Sequence, residues 1–165
     1  MTEKTQEICD LLDDREIGFK IIEHEAVYTI DDLLALHWPD TDTDDVAKNL
    51  FVRDDKKHNY YLLVVRRDRK VELKSVKEAI GSGTLHFASE NDLESILGLT
   101  KGSVTPFGII NDDTRKVKVI FDNTFRNSTI GVHPNENTAT IFLRTADLVK
   151  VIEQHGNPVV FAAGT

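Results

Sequence analysis

One cysteine, one methionine, one tryptophan and four prolines among 165 residues put several protein classes out of reach. A lone Cys9 can neither close an internal disulfide nor build a cysteine-based zinc site. The six histidines stand at 24, 37, 58, 86, 133 and 155 without metal-ligand spacing, so neither a metal nor a cofactor is expected. No run approaches the roughly 18 apolar residues of a membrane span. The first residues, MTEKTQEICDLLDD, are acidic and carry no apolar signal core, which points to the cytoplasm. Cations are the minority: 20 Lys+Arg against 28 Asp+Glu give a net charge of −8. Such a chain does not coat nucleic acid non-specifically, because counterion release needs a basic surface, although a local basic cleft is compatible with it. The dinucleotide and phosphate-loop glycine motifs, HExxH and GxSxG are all missing.

What is present reads as one α+β domain over residues 1–165, with 40% hydrophobic and 29% charged residues. Ile8, Cys9, Leu11 and Leu12 give residues 5–15 the apolar stripe of a short helix ended by Gly18, and 19–24 read as a strand. Thr29, followed by Asp31 and Asp32, caps a second helix, and 39–45 form an acidic loop. Residues 46–53 and 60–66 form a hairpin across DDKKHN. A helix over 73–80 stops at Gly81, 85–88 is a short strand, and Ser89 with Asp92 opens a helix stopped by Gly98. Residues 108–111 and 116–121 read as strands, 129–133 and 138–143 as a second hairpin, and Thr145 caps a last helix before a strand over 159–162. Hairpins interspersed with helices favour a mixed, mostly antiparallel sheet or partial barrel surrounded by helices.

Three segments carry chemistry. If Leu50 and Val52 face the core, alternation puts Lys48 on the same face, and an inward ammonium needs either a role or a path to water. Lys101-Gly102-Ser103-Val104-Thr105-Pro106-Phe107-Gly108 can present backbone N–H groups to an anion or a carbonyl oxygen, or can simply connect two elements. His133, near a hairpin turn, can donate a hydrogen bond, act as a base, or do neither. Cys9, on the apolar face of the first helix, reads as a buried thiol.

In this order the segments resemble the aminoacyl-tRNA deacylase family related to the editing insertion of bacterial prolyl-tRNA synthetases. The matching strings are His24-Glu25-Ala26-Val27-Tyr28-Thr29, Lys48-Asn49-Leu50-Phe51-Val52-Arg53-Asp54, Leu85-His86-Phe87-Ala88-Ser89, Gly102-Ser103-Val104-Thr105-Pro106-Phe107-Gly108-Ile109-Ile110-Asn111-Asp112, and His133-Pro134 with Asn137 and Thr140. The Lys-Asn-Leu-Phe and Gly-Ser-Val-Thr-Pro-Phe strings are the specific ones. The chain looks most like the branch that hydrolyses alanyl-tRNA(Pro), which also carries an amino-terminal helix. It departs from the family at Ala47, where threonine is common, in the acidic 39–45 loop, and at Asn135-Glu136, where larger or basic residues are common.

The resemblance implies hydrolysis of an aminoacyl ester at the terminal adenosine of tRNA. The ester is already activated, so positioning water and carbonyl supplies much of the rate. A ribose hydroxyl of the substrate assists the water. Lys48 would hold a phosphate or ester oxygen, Asn49 would orient the substrate, and Gly102 would let loop amides approach the carbonyl. His133 would contact the terminal nucleotide or form the pocket wall. Tyr28, Thr29, Ser103, Val104, Thr105, Pro106 and Asn137 would line the substrate pocket. The implied partners are the acceptor end of mischarged tRNA(Pro) and, beyond it, prolyl-tRNA synthetase, with no membrane. The clusters Arg66, Arg67, Arg69, Lys70, Lys74 and Arg115, Lys116, Lys118 are candidate acceptor-stem contacts. A cysteinyl-tRNA(Pro) or broad-specificity deacylase, and a non-catalytic aminoacyl-tRNA-binding module, remain as alternatives.

Overall fold

The computed structural model describes residues 1–26 and 45–163. The expected Thr29-capped helix, most of the acidic loop, Tyr28 and Thr29 lie outside them. Thr2 caps the first helix, α1 (Glu3–Asp14), by accepting from the Thr5 N–H at 3.3 Å. The helix stops before Gly18, because Glu16 takes the left-handed position, with φ 57°. Strand β1 (Phe19–Glu23) follows, then β2 (Ala47–Asp54) and β3 (Tyr60–Arg66), paired antiparallel across the expected turn. Helix α2 (Leu73–Ile80) ends on Gly81 in the left-handed region at φ 68°, where a side chain would be strained. Strand β4 (Leu85–Phe87) leads to the Ser89-capped turn Glu90–Asp92, which continues as the π turn Leu93–Leu97. Strands β5 (Val117–Asp122), β6 (Thr129–Val132) and β7 (Ala139–Arg144), helix α3 (Thr145–His155) and strand β8 (Val159–Ala162) complete the order.

Two expectations are corrected. Residues 108–111 are not a strand: Pro106–Asn111 is a 3-10 helix, opened by Pro106 and capped by the Thr105 hydroxyl. Proline suits the first helical position, where its missing N–H costs nothing, and local capping overrides the apolar Ile109-Ile110 signal. The Asn111 side chain, aimed back, donates to the Leu97 carbonyl at 2.9 Å and closes the π turn. Thr145 begins α3 but does not cap it; Arg144 is the N-cap residue and no side-chain cap bond forms.

The strands make two sheets, β1-β7-β6 and β4-β2-β3-β5-β8, not a closed barrel. The first is antiparallel throughout; in the second, β5 lies parallel to both β3 and β8. One face of the larger sheet carries the main core, in which Phe51, Leu62 and Val64 meet Ile8 and Leu12 of α1, Ile130, Ile141 and Leu143 of the smaller sheet, and Leu148, Val151 and Ile152 of α3. The opposite face is covered by α2, whose Val76 packs with Val52, Leu63, Leu85 and Ile120. Among the described residues, a parallel bridge, Val46 to Gly131, joins the sheets. It lies two residues before Lys48 on one side and two before His133 on the other. No described helix is long and apolar enough to cross a membrane.

Candidate active site

Lys48 and Asn49 are adjacent in an extended strand, so their side chains leave opposite faces. Leu50 and Val52 belong to the α2 side, which puts Lys48 there as the alternation predicts. Its half-buried ammonium donates to the Arg69 carbonyl, in the turn after β3. That turn is tied down by an Arg69–Asp122 ion pair of 3.1 Å, with Asp122 buried. Among the described residues the lysine therefore has a neutral carbonyl, and no carboxylate, as its resting partner. Asn49 shares the main-core face with Ala47 and Phe51. Its Oδ1 is buried and meets no hydrogen-bond donor among the described residues. A buried acceptor without a partner is costly, which suits an atom kept for a ligand N–H or O–H.

The 102–106 loop is built by local chemistry. Gly102 stands at φ +93°, a conformation that a side chain would strain. The Ser103 N–H returns to the Thr100 carbonyl at 3.0 Å, so this amide is spent inside the loop. The amides of Gly102 and Val104 have no acceptor among the described residues and remain available. Thr105 is fully buried, and its hydroxyl donates to the His133 carbonyl at 2.5 Å. Pro106 is buried at the start of the 3-10 helix. Thr105 thus clamps the loop to the β6–β7 turn. Val104 is partly buried against the main core.

His133 follows β6. Its Nδ1 lies 2.9 Å from the Ala139 carbonyl, and a carbonyl only accepts, so Nδ1 carries the proton. Burial lowers the pKa of the ring; the Ala139 bond opposes this, nearby His24 adds to it and Glu136 opposes it. The ring is therefore neutral at pH 7, with the Nε2 lone pair left as an acceptor. His24 stands 6.1 Å away between ring centroids, with Nδ1 bonded to the Glu25 carbonyl at 2.8 Å and Nε2 to the Thr140 hydroxyl at 2.9 Å. Asn137 is half-buried in the same turn. Asn135, buried at φ 62°, donates to the Phe107 carbonyl at 3.4 Å while its Oδ1 meets no donor among the described residues.

The structure thus joins His133, Thr105 and the glycine loop through one hydrogen bond, and brings β2 alongside through the Val46–Gly131 bridge. Sequence reading missed His24 and Asn135 as polar neighbours of His133. The signal for His24 was its place at the head of a family string; that for Asn135 was its place among the departures from the family. Of the basic clusters, Arg66 is spent internally: it pairs with Asp45 at 3.2 Å, donates to the Thr124 carbonyl at 2.8 Å and lies 4.0 Å over the Phe125 ring. Arg115 likewise donates to the His155 carbonyl at 3.0 Å, at the end of α3. Lys70 and Lys74 are exposed. Cys9 is buried, and burial followed by Asp13, Asp10 and Glu23 raises its thiol pKa, as an inert core residue requires. Among the described residues no three His, Cys, Asp or Glu side chains gather as a metal site.

Comparisons with known proteins fall on these elements. A model of the aminoacyl-tRNA editing domain matches residues 24–151, which include Lys48, the glycine loop and His133. The prolyl-tRNA editing protein ProX of Acetoanaerobium sticklandii is 43% identical over 153 residues, covering 92% of both chains. The prolyl-tRNA synthetase associated domain-containing protein 1 of Mus musculus is 31% identical over 152 residues, covering 87% of each. A solved structure of a candidate trans-editing enzyme for prolyl tRNA synthetase superposes with a TM-score of 0.73 at 17% identity, covering 100% of this chain and 99% of the other, and shows the shared fold.

Proposed function

This chain belongs to the aminoacyl-tRNA editing family, and we propose that within it the protein removes alanine from mischarged tRNA(Pro) in trans. As an aminoacyl-tRNA deacylase it adds water across the ester between the amino acid and the terminal ribose. The carbonyl carbon–ribose oxygen bond breaks, and free amino acid and tRNA with its hydroxyl restored are released. The observation that carries the reading is the Thr105–His133 bond of 2.5 Å, which locks the glycine loop against the histidine turn beside β2. The glycine loop and the imidazole acceptor then stand together, while Lys48 follows the Val46–Gly131 bridge by two residues on the α2 face of β2.

Each group has a chemical task. The free amides of Gly102 and Val104 point the loop's donors at the carbonyl oxygen where negative charge develops. Lys48 leaves the Arg69 carbonyl for a phosphate or ester oxygen, exchanging a neutral acceptor for a charged one. Asn49 Oδ1 accepts from the substrate amine or a ribose hydroxyl. His133 Nε2 accepts from the terminal nucleotide or the attacking water. A ribose hydroxyl of the substrate guides that water, so the protein supplies geometry and charge and no covalent nucleophile.

Alanine is preferred because its pocket need only admit a methyl group, and proline is excluded by bulk. Discrimination of one heavier group yields about 1–3 kcal/mol, so serine or cysteine esters leak through at a reduced rate. Tyr28 and Thr29 complete the pocket in this reading. The protein works on the acceptor end in the cytoplasm, where prolyl-tRNA synthetase makes the error. Deacylation of tRNA(Pro) charged separately with Ala, Cys, Ser and Pro tests the assignment: kcat/KM highest for Ala and lowest for Pro supports it, and a preference for the cysteinyl ester overturns it.

A further inference from the structure

Lys48, Val65 and Asp122 form one row across three neighbouring strands. Lys48 of β2 stands opposite Val65 of β3. Val64 of β3 stands beside Phe121 of β5, so the next pair in that parallel register is Val65 and Asp122. All three face α2, because Leu50, Leu63 and Ile120, two residues away on each strand, belong to the cluster that α2 covers. Strands about 4.8 Å apart put the lysine and aspartate backbones roughly 10 Å from each other, with Val65 fully buried between them. Arg69 spans the gap. Its carbonyl accepts from the Lys48 ammonium, and its guanidinium lies 3.1 Å from Asp122 Oδ2. The latter contact is an ion pair without hydrogen-bond alignment, since Oδ2 meets no aligned donor among the described residues. Asp122 is 2% exposed, and its Oδ1 accepts from the Thr124 N–H at 3.0 Å and the Thr124 hydroxyl at 3.1 Å.

We propose that Asp122 is a positioning residue for Lys48, acting through Arg69. A buried carboxylate is costly without a cation, so Asp122 fixes the guanidinium strongly. The Arg69 N–H donates to the Arg66 carbonyl at 3.0 Å and closes the turn after β3. Arg69 is thus tied at its N–H and at its side chain, and its carbonyl is left facing the ammonium. Val71, two residues on, packs against the α2 cluster and holds the far end of the segment, but it does not reach Arg69's own orientation. Without the Asp122 charge the Arg69 residue turns more freely, and the lysine loses its fixed acceptor. Its long side chain then samples several rotamers and must be ordered again whenever it meets a substrate oxygen. Asp122 touches neither the ammonium nor the substrate in this arrangement. The inference rests on the reading of Lys48 as the cation that meets a phosphate or ester oxygen.

Asp122→Asn is the test, made in the wild type and in Lys48→Ala, with alanyl-tRNA(Pro) as the probe. The amide keeps an oxygen for the Thr124 N–H and removes the charge, and the Arg69 side chain, 37% exposed, can turn to water, so the variant is expected to fold. Its kcat is expected to fall about tenfold with KM unchanged, the scale of a modest misplacement. In Lys48→Ala the same change is expected to have no further effect, because the residue it positions is gone. A purely structural aspartate would slow both backgrounds by the same factor, and that result overturns the proposal. Should Asp122→Asn fold poorly, Arg69→Met cuts the link from its more exposed end and is read in the same way. The 1H–15N signal of the Lys48 ammonium gives a readout without substrate. The wild type is expected to show a slowly exchanging signal, and Asp122→Asn one broadened by exchange with water. A signal that is missing in the wild type, or unchanged in Asp122→Asn, overturns the positioning role. If the wild type hydrolyses no ester, or Lys48→Ala keeps full turnover, the reading of the enzyme or of its lysine falls, and the ammonium spectra still decide whether Asp122 holds that side chain.

Discussion

Lys48 sits in a position that few structural lysines occupy. It shares a sheet face with Leu50 and Val52, is half-buried, and spends its ammonium on a carbonyl with no charge to offer. Replacing it by alanine leaves the buried clusters themselves intact, so thermal stability should nearly hold while alanyl-tRNA(Pro) turnover falls about 100-fold or more, the scale of losing one charge-stabilising donor. Lys48→Arg is expected to rescue little, since a planar fork does not reproduce a compact ammonium. Single-turnover deacylation beside a melting curve checks both. His133 carries a pH signature. Its folded pKa lies below the ordinary value of about 6.5, owing first to burial. In the window between the two values the unfolded chain binds more protons, so stability rises with pH there, and the penalty is complete once pH falls below the folded pKa. The neutral Nε2 is the useful form, so the acid limb of kcat/KM should have its midpoint below pH 6.5 and vanish in His133→Asn. The neighbours that act on it are His24, just after β1, which lowers it, and Glu136 in its own turn, which raises it. A rate profile from pH 5 to 8, corrected for spontaneous hydrolysis, reads the midpoint.

Elements position these residues through very few connections. The two sheets meet at Val46 and Gly131, and a Cβ at Gly131 would stand 2.6 Å from the Phe142 ring on the neighbouring strand. Gly131→Ala must push that buried ring or spread β6 from β7, at a cost of about 1–3 kcal/mol for overpacking. Spreading also displaces His133, two residues beyond Gly131. Both the denaturation midpoint and kcat are therefore expected to drop, whereas Gly18→Ala, with open space around its Cβ, should change neither. Equal stability in Gly131→Ala and the wild type would mean that the bridge carries no strain. The hairpins, α2 with its Gly81 stop and the Ser89 cap were all legible in sequence, because each depends on residues within a few positions. The 3-10 helix at 106–111 was not. Its Ile109-Ile110 pair looks like strand, but Pro106, the Thr105 cap and the docking of Asn111 on Leu97 settle the backbone instead.

At the scale of the whole molecule the charge is −8, while the exposed cations nearest the lysine are few. Lys70 follows Arg69, whose carbonyl holds Lys48, and Lys74 is the second residue of α2, the helix that covers the Lys48 face of the sheet. They are the members of the basic cluster best placed for phosphates, since Arg66 is committed to Asp45, Thr124 and Phe125. Replacing Lys70 and Lys74 by alanine should raise KM for charged tRNA without lowering kcat. Each loss should flatten the slope of log(kcat/KM) against log salt by about 1 or less. A slope unchanged in the double variant would place the acceptor stem elsewhere. What the sequence by itself determined was local or compositional: the α+β class, the two hairpins, the shared face of Lys48 with Leu50 and Val52, and the family strings. These follow from period, turn chemistry and residue identity along the chain. Only the tertiary structure decided that Thr105 is a clamp on His133, that the Asn49 oxygen is buried without a donor among the described residues, and that His24 stands beside His133. The first and last of these bring together residues far apart in sequence, through a buried hydroxyl and a pair of rings. Their geometry depends on how two sheets and a helix pack, which no local pattern encodes.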